Sequence, residues 1–131
     1  MSAHPFQINL TLAWSWILLG FLTGLVLGIN FHREDWLGGY GSFPRRLCRL
    51  GHISFFGLAL VNLMFFFTAR FLGLAGVAMQ IASWTFVLGG LSMPICCFTI
   101  AFVPKLRMLF SVPVLSLIVG GLSTVWEIIK L

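Results

Sequence analysis

Two histidines are the first residues of this chain whose type could support cofactor chemistry. His32 follows the first apolar segment and His52 lies near the start of the second. A neutral imidazole is a good ligand for haem iron, for copper and for the magnesium of a chlorophyll-type pigment. The spacing of the two residues matches no compact metal motif, and an interfacial histidine often serves as a hydrogen-bonding group. The sequence therefore leaves two interpretations of His32 and His52 open, cofactor binding and interfacial hydrogen bonding.

A second set of possible ligands lies in the stretch M-P-I-C-C. Met93, Cys96 and Cys97 combine a thioether with two thiols, which are soft ligands suited to Cu(I). The alternative is a flexible packing site beside Pro94, since methionine and cysteine adapt well to irregular cores. With Cys48 as the third cysteine, the chain has too few thiols for a disulfide framework.

A basic stretch, P-R-R-L-C-R-L-G-H, opens the second apolar segment. Helical spacing places Arg45, Arg49 and His52 on one face. Such a face could bind lipid phosphate, an acidic patch on a partner protein, or the chain's own Glu34 and Asp35. Plain anchoring at the membrane interface is the simpler interpretation. The residues expected to contact a partner or lipid head groups are Arg45, Arg46, Arg49 and Trp36.

Three polar residues fall within or beside other apolar segments. Asn62 and Gln80 are expected deep in the membrane, where they could bond across helices or line a transport path. Glu127 lies at interface depth, with Lys130 as its first expected partner and Arg70 or His4 as others. Interhelical hydrogen bonding is the expectation for the two amides.

Recognised catalytic motifs are absent from the sequence. It contains no G-x-x-x-x-G-K-[ST], G-x-S-x-G, H-E-x-x-H or C-x-x-C. We therefore expect no enzymatic activity from this chain alone. The net charge of +5 comes from basic residues beside apolar segments, which predicts contact with lipid head groups and no binding to nucleic acid.

The composition determines which elements must position these side chains. Of 131 residues 60% are hydrophobic and 8% charged, with a mean hydropathy of +1.05, whereas soluble domains carry about 25% charged residues. A span needs about 20 apolar residues. Four segments qualify, at about residues 10–30, 44–69, 74–103 and 108–129, with Ser42 as a possible N-cap of the second. The prediction is an all-α polytopic membrane protein whose single domain, residues 1–131, is an antiparallel four-helix bundle with short loops.

Small residues at helical spacing predict how these helices pack. Close helix contacts in lipid use small side chains, because the hydrophobic effect drives them little. The first span has three glycines four residues apart, and the fourth has a similar row of small residues. The predicted packing residues are Gly20, Gly24, Gly28, Ser116, Gly120 and Thr124.

Basic residues near the loops predict the orientation in the membrane. Six lie in or beside the first and third connections, on one side of the membrane, and two lie on the other side. The positive-inside rule then places those connections in the cytoplasm of a bacterial inner membrane, with both termini outside. The N-terminus lacks the pattern of a removable signal peptide.

In size the chain resembles the small multidrug-resistance exporters, which also have four spans. That resemblance implies a carboxylate buried in the first span, but L-T-L-A-W-S-W-I-L-L-G-F-L-T-G-L-V-L-G-I contains none, which argues against proton-coupled export.

The remaining expectation is an accessory subunit that packs against larger membrane subunits, in a respiratory or photosynthetic electron-transfer complex. It would help to hold lipid, quinone, carotenoid, haem or chlorophyll-type pigment, although no ligand residue is assigned. The alternatives are a haem- or metal-binding electron carrier that uses His32 and His52, and a small transporter or channel.

Overall fold

The computed structural model describes residues 5–131, which form four long helices and no β-strand. Each helix is long and apolar enough to cross a membrane. The protein is an all-helical integral membrane protein, as the sequence predicted. The helices are α1 (Gln7–Ile29), α2 (Phe43–Phe71), α3 (Val77–Phe102) and α4 (Ser111–Ile129).

The helix ends lie within a few residues of the predicted ones. α2 begins as predicted, because the Ser42 side chain accepts a hydrogen bond from the backbone N–H of Arg45 and Pro44 stands in the first turn. The connections contain two 3₁₀ helices, Trp36–Gly38 and Pro104–Phe110. The second of these covers residues that the sequence divided between a loop and the last span, so α4 starts later than predicted.

Close contacts at glycines show how the helices pair. A Cβ atom at Gly20 would lie 2.6 Å from the Phe56 ring, and one at Gly24 would lie 2.9 Å from the His52 ring. Four residues forward on α1 therefore correspond to four residues back on α2, which is the register of an antiparallel pair. Gly89 meets Leu117 in the same way between α3 and α4. Each helix packs against the next in the chain.

The two predicted rows of small residues follow these contacts unevenly. Gly20 and Gly24 lie against α2, whereas a Cβ at Gly28 would meet nothing within 4 Å. On α4, Ser116 is buried and Gly120 lies against the Phe86 ring of α3. Thr124, the last member of that row, is partly buried and donates to the carbonyl of Gly120.

A proline inside α3 frees a backbone carbonyl, which finds its donor on a neighbouring helix. Pro94 has no N–H for the carbonyl of Gly90, one turn earlier. Trp16 on α1 donates its indole N–H to that carbonyl at 2.8 Å. This bond matters because the bilayer core has no water to satisfy a freed carbonyl. Pro113 stands in the first turn of α4, where a missing N–H is tolerated.

The four helices are buried to very different extents. In the most apolar stretch of each span, the buried share of residues is 44% for α2 and 50% for α3, but only 11% for α1 and 11% for Pro104–Ile129, the segment that contains α4. The two central helices therefore form the core, and the first and last helices cover it from outside. α1 also contacts α3 directly.

Gly24→Leu should lower the thermal unfolding midpoint in detergent, because the new side chain displaces the His52 ring. Overpacking of this kind costs about 1–3 kcal/mol. Gly28→Leu is the matched control, since it adds the same side chain to the same helix where space is open. Equal midpoints for the two variants would show that the glycine row is not a packing contact.

Trp16→Phe should destabilise the protein by about 1 kcal/mol, because the Gly90 carbonyl loses its donor inside the membrane. In a Pro94→Ala background the restored backbone N–H serves that carbonyl, so the same substitution should cost less. A double-mutant cycle of unfolding free energies measures the coupling. Trp14→Phe, at a position that is 62% exposed, is the control. Additive effects of the two substitutions would contradict this account of the bond.

Candidate functional site

A buried cluster of three polar side chains joins α1, α2 and α3. The Asn9 amide donates to Asn62 Oδ1 at 2.8 Å and to the carbonyl of Ser83 at 3.2 Å. The hydroxyl of Ser83 donates to Asn9 Oδ1 at 2.5 Å. Both asparagines are completely buried. Three helices are thus bonded to one another through side chains far apart in the sequence.

All the hydrogen-bonding capacity of this cluster is directed inward. The amide of Asn62 also donates to the carbonyls of Leu58 at 2.9 Å and Phe86 at 3.4 Å. The groups are neutral, and each donor has a protein acceptor, so their arrangement suits a structural clamp. Sequence analysis proposed Asn62 for this role but missed Asn9 and Ser83. The only available signal was that both are polar residues within apolar helices.

Gln80 lies near the cluster but outside it. Its side chain is exposed and lines a cavity of about 260 Å³ at the start of α3. Phe6 and Trp84 line the same cavity, and Ser83 borders it. The Gln80 amide is therefore at the protein surface beside this cavity, whereas the Asn62 amide is buried in the core.

The two histidines occupy different surroundings. His52 lies at the contact between α1 and α2, where its Nδ1 is 3.0 Å from the Thr23 hydroxyl and its ring meets Phe56 edge-on at 5.5 Å. His32 is exposed in the turn that follows α1 and shares none of these contacts. The structure thus gives the His52 ring a hydrogen-bonding partner on the neighbouring helix. A cofactor shared by His32 and His52 stays a prediction.

The sulfur residues of α3 are involved in packing. Cys97 is completely buried and its Cβ lies close to Gly51 of α2. Cys96 uses its thiol on the Leu109 carbonyl, and Met93 is partly buried. Within residues 5–131 no group of three or more His, Cys, Asp or Glu side chains is arranged to hold a metal ion. Copper binding by this stretch stays a prediction that these contacts do not support.

Arg45 fastens the loop between α1 and α2. It is only 3% exposed, and its guanidinium donates to the carbonyls of Phe31 and Arg33, both at 3.0 Å. The same group lies 5.6 Å from the Trp36 ring centroid and 5.3 Å from that of Tyr40. A cation engaged in this way serves the loop itself, so Arg45 presents little charge to a partner or to lipid.

Arg49, one turn further along α2, has a different environment. Its guanidinium carbon lies 4.2 Å from the Tyr40 ring centroid. Its Nη1 is buried and has no acceptor among the described residues. Arg46 is exposed and Trp36 is partly buried, so contact with lipid or a partner stays a prediction for both. Sequence analysis missed Tyr40, whose ring lies beside both guanidinium groups.

At the end of α4, Glu127 pairs with the first of its expected partners. Lys130 Nζ lies 2.7 Å from Glu127 Oε1, and the same ammonium group lies 5.1 Å from the Trp126 ring centroid. His4, another expected partner, lies outside the described residues. An exposed pair of this type contributes little to stability. Its position indicates an interfacial anchor at the C-terminal end of the last span.

No protein-family model, curated protein or solved structure matches this chain. A function must therefore be inferred from its own polar clusters, which differ in whether all their hydrogen-bonding groups have partners. The cluster around Asn9 is satisfied within the protein. The arginine cluster beside Tyr40 leaves one guanidinium nitrogen, Nη1 of Arg49, without an acceptor among the described residues.

Asn9→Leu should lower the unfolding free energy by about 2 kcal/mol, because three membrane-buried hydrogen bonds are lost, each contributing about 0.6 kcal/mol on average. Asn62→Leu should then cost less in that background than alone, since the shared bond has already gone. Gln80→Leu, at an exposed amide, should change the midpoint little. If Gln80→Leu proved as damaging as Asn9→Leu, the cluster would not be a clamp. Reversible unfolding in mixed micelles provides these values.

Proposed function

We propose that this protein is an accessory integral-membrane subunit that packs against larger membrane subunits. The observation that supports the proposal is the small buried share of the first and last spans, 11% of the apolar stretch of α1 and 11% of that of Pro104–Ile129, which contains α4. Such helices contribute most of their surface to whatever surrounds the protein. A subunit that binds through its outer helices needs this arrangement, with a separate core of α2 and α3 to hold it together.

One surface offers the shape that a neighbouring helix needs. A groove of about 360 Å³ runs between α2 and α4, bordered by Val61 and Met64 on one side and by Gly121 and Thr124 on the other. A Cβ at Gly121 would meet nothing within 4 Å. Because membrane helices approach each other closely at small residues, an open glycine in a groove favours a transmembrane helix of a partner as its occupant.

The kind of complex follows from a more general argument. Electron-transfer complexes of respiration and photosynthesis often include small subunits with several spans, and we assign this protein to that class of assembly. Its apolar faces would then contact lipid, quinone or pigment tails held by larger subunits. The proposal includes a bacterial inner membrane, with the arginine-rich end in the cytoplasm and both termini on the other side.

Gly121→Leu should release the partner, because the added side chain fills the groove. Purification from the native membrane in mild detergent, with an absorption spectrum and the masses of all co-eluting chains, measures this. We expect large redox or pigment-bearing subunits in stoichiometric amount with the wild-type protein and their loss from the variant. Gly57→Leu, at a glycine of α2 that also faces open space and lies outside the groove, should retain them.

Three outcomes would contradict the proposal. A wild-type chain that elutes alone and colourless would exclude a stable complex. A chain that elutes alone with a Soret band would favour the electron-carrier alternative, with His32 and His52 as ligands. Retention of the partner by Gly121→Leu would exclude the groove as the contact surface.

A further inference from the structure

We propose that Arg49 and Tyr40 form a binding site for the phosphate group of a phospholipid in the leaflet at the arginine-rich end of the protein. This site goes beyond the proposed accessory role and rests on different residues. Three observations support it: the Arg49 guanidinium lies against the Tyr40 ring with one nitrogen lacking an acceptor, positive charge surrounds it, and it lies at head-group depth in the membrane.

The first observation is that the Arg49 guanidinium has a ring contact but lacks an acceptor for Nη1. Its guanidinium carbon lies 4.2 Å from the Tyr40 ring centroid, which is the geometry of a cation–π contact. Nη1 is buried without a partner among the described residues. Guanidinium groups have five N–H donors, and leaving one unmatched away from water is costly. Arg49 as a whole is only partly buried, so an acceptor from outside can reach its side chain and remove that cost.

Arg45 shows that a guanidinium beside the Tyr40 ring can still donate hydrogen bonds. Arg45 lies 5.3 Å from the same ring and still donates to two carbonyls. Tyr40 is itself held by Phe31, whose ring meets it edge-on at 6.3 Å. The ring thus lies beside two guanidinium groups, of which one is bonded to the loop and the other has a nitrogen without an acceptor.

The second observation is uncompensated positive charge. Two guanidinium groups lie beside one aromatic ring, where they repel each other. Glu34 and Asp35 are the acidic residues of this loop, and neither is within 4 Å of a basic side chain in the part of the chain described. An anion bound at Arg49 would relieve the repulsion, and a phosphate can accept two parallel N–H bonds from one guanidinium.

The third observation is depth, which selects a lipid as the source of the phosphate. Between Arg49 and Arg70 lie residues 50–69, a stretch without Lys, Arg, Asp or Glu. These twenty residues rise about 30 Å in a helix, which matches the hydrocarbon thickness of a bilayer. Arg49 is therefore at the boundary where phospholipid head groups begin.

The surface just below Arg49 suits the rest of the lipid. Leu50 is 41% exposed and Ile53 is 62% exposed, so the helix turns an apolar surface outward immediately below the guanidinium. Acyl chains can lie along this surface while the phosphate contacts Arg49. An acidic segment of a protein would have to enter the head-group layer to reach the same donors, which is why we assign the site to phospholipid.

The test measures binding of a short-chain lipid to the purified full-length protein in neutral detergent, by native mass spectrometry. The probes are dioctanoyl phosphatidylglycerol, dioctanoylglycerol without the phosphate, and inorganic phosphate. We expect the wild-type protein to bind the phosphatidylglycerol and Arg49→Gln to bind it at least tenfold more weakly. Tyr40→Leu should also weaken binding, whereas Tyr40→Phe should not, because the ring and not the hydroxyl holds the cation.

Arg107→Gln is the matched control, since it removes an equal charge from an exposed arginine at the same end of the protein. It should change the affinity less than twofold. Arg49→Lys keeps the charge without the paired donors and provides a variant if Arg49→Gln fails to fold, with an intermediate affinity expected. Equal binding by wild type and the Arg49 variants would overturn the site. A response to inorganic phosphate as strong as that to the lipid would overturn the assignment to phospholipid.

Discussion

A carbonyl that loses its helical donor inside lipid has no water to bond with, and much of this protein is arranged around that constraint. Pro94 creates such a carbonyl at Gly90. Its donor, the Trp16 indole N–H, lies on α1, so a local defect in one helix becomes a bond between two helices. Proline in the interior of a soluble helix would mainly weaken it. Here Pro94 fixes which neighbour must lie beside α3.

Polar bonds hold the two ends of the bundle in different ways, and glycine contacts hold its middle. Near the start of α1, the side chains of Asn9, Asn62 and Ser83 bond three helices together. At the opposite end, the buried guanidinium of Arg45 donates to two carbonyls of the loop that follows α1 and so holds the loop against α2. Between these ends, Gly20 and Gly24 let α2 come close. Interhelical hydrogen bonds and close helix–helix packing therefore specify the core, as expected in lipid, where the hydrophobic effect drives helix association little.

The division between central and outer helices connects this core to the proposed role. α2 and α3 pack with each other and are the most buried helices, which leaves α1 and α4 free to present apolar surface. The arginine-rich end adds a second kind of contact, because Arg49 lies against Tyr40 with one nitrogen lacking an acceptor. In the proposed role, the sides of the protein would contact helices of a partner and its arginine-rich end would contact lipid head groups.

Hydropathy and helical spacing alone determined that the chain crosses a membrane four times, that α2 starts at Ser42, and that Gly24 and Gly120 belong to rows of small residues. Those features depend on neighbours within a few turns, so the sequence contains them. The tertiary structure decided the partners: Asn62 was predicted to bond across helices, but only the fold shows that it accepts from the Asn9 amide of α1 and donates to the Phe86 carbonyl of α3. It also decided that Arg45 is buried and bonded while Nη1 of Arg49 lacks an acceptor, although both lie on one helical face. The physical reason is that helical spacing states which side chains share a face, whereas the neighbour that the face meets depends on residues far away in the chain.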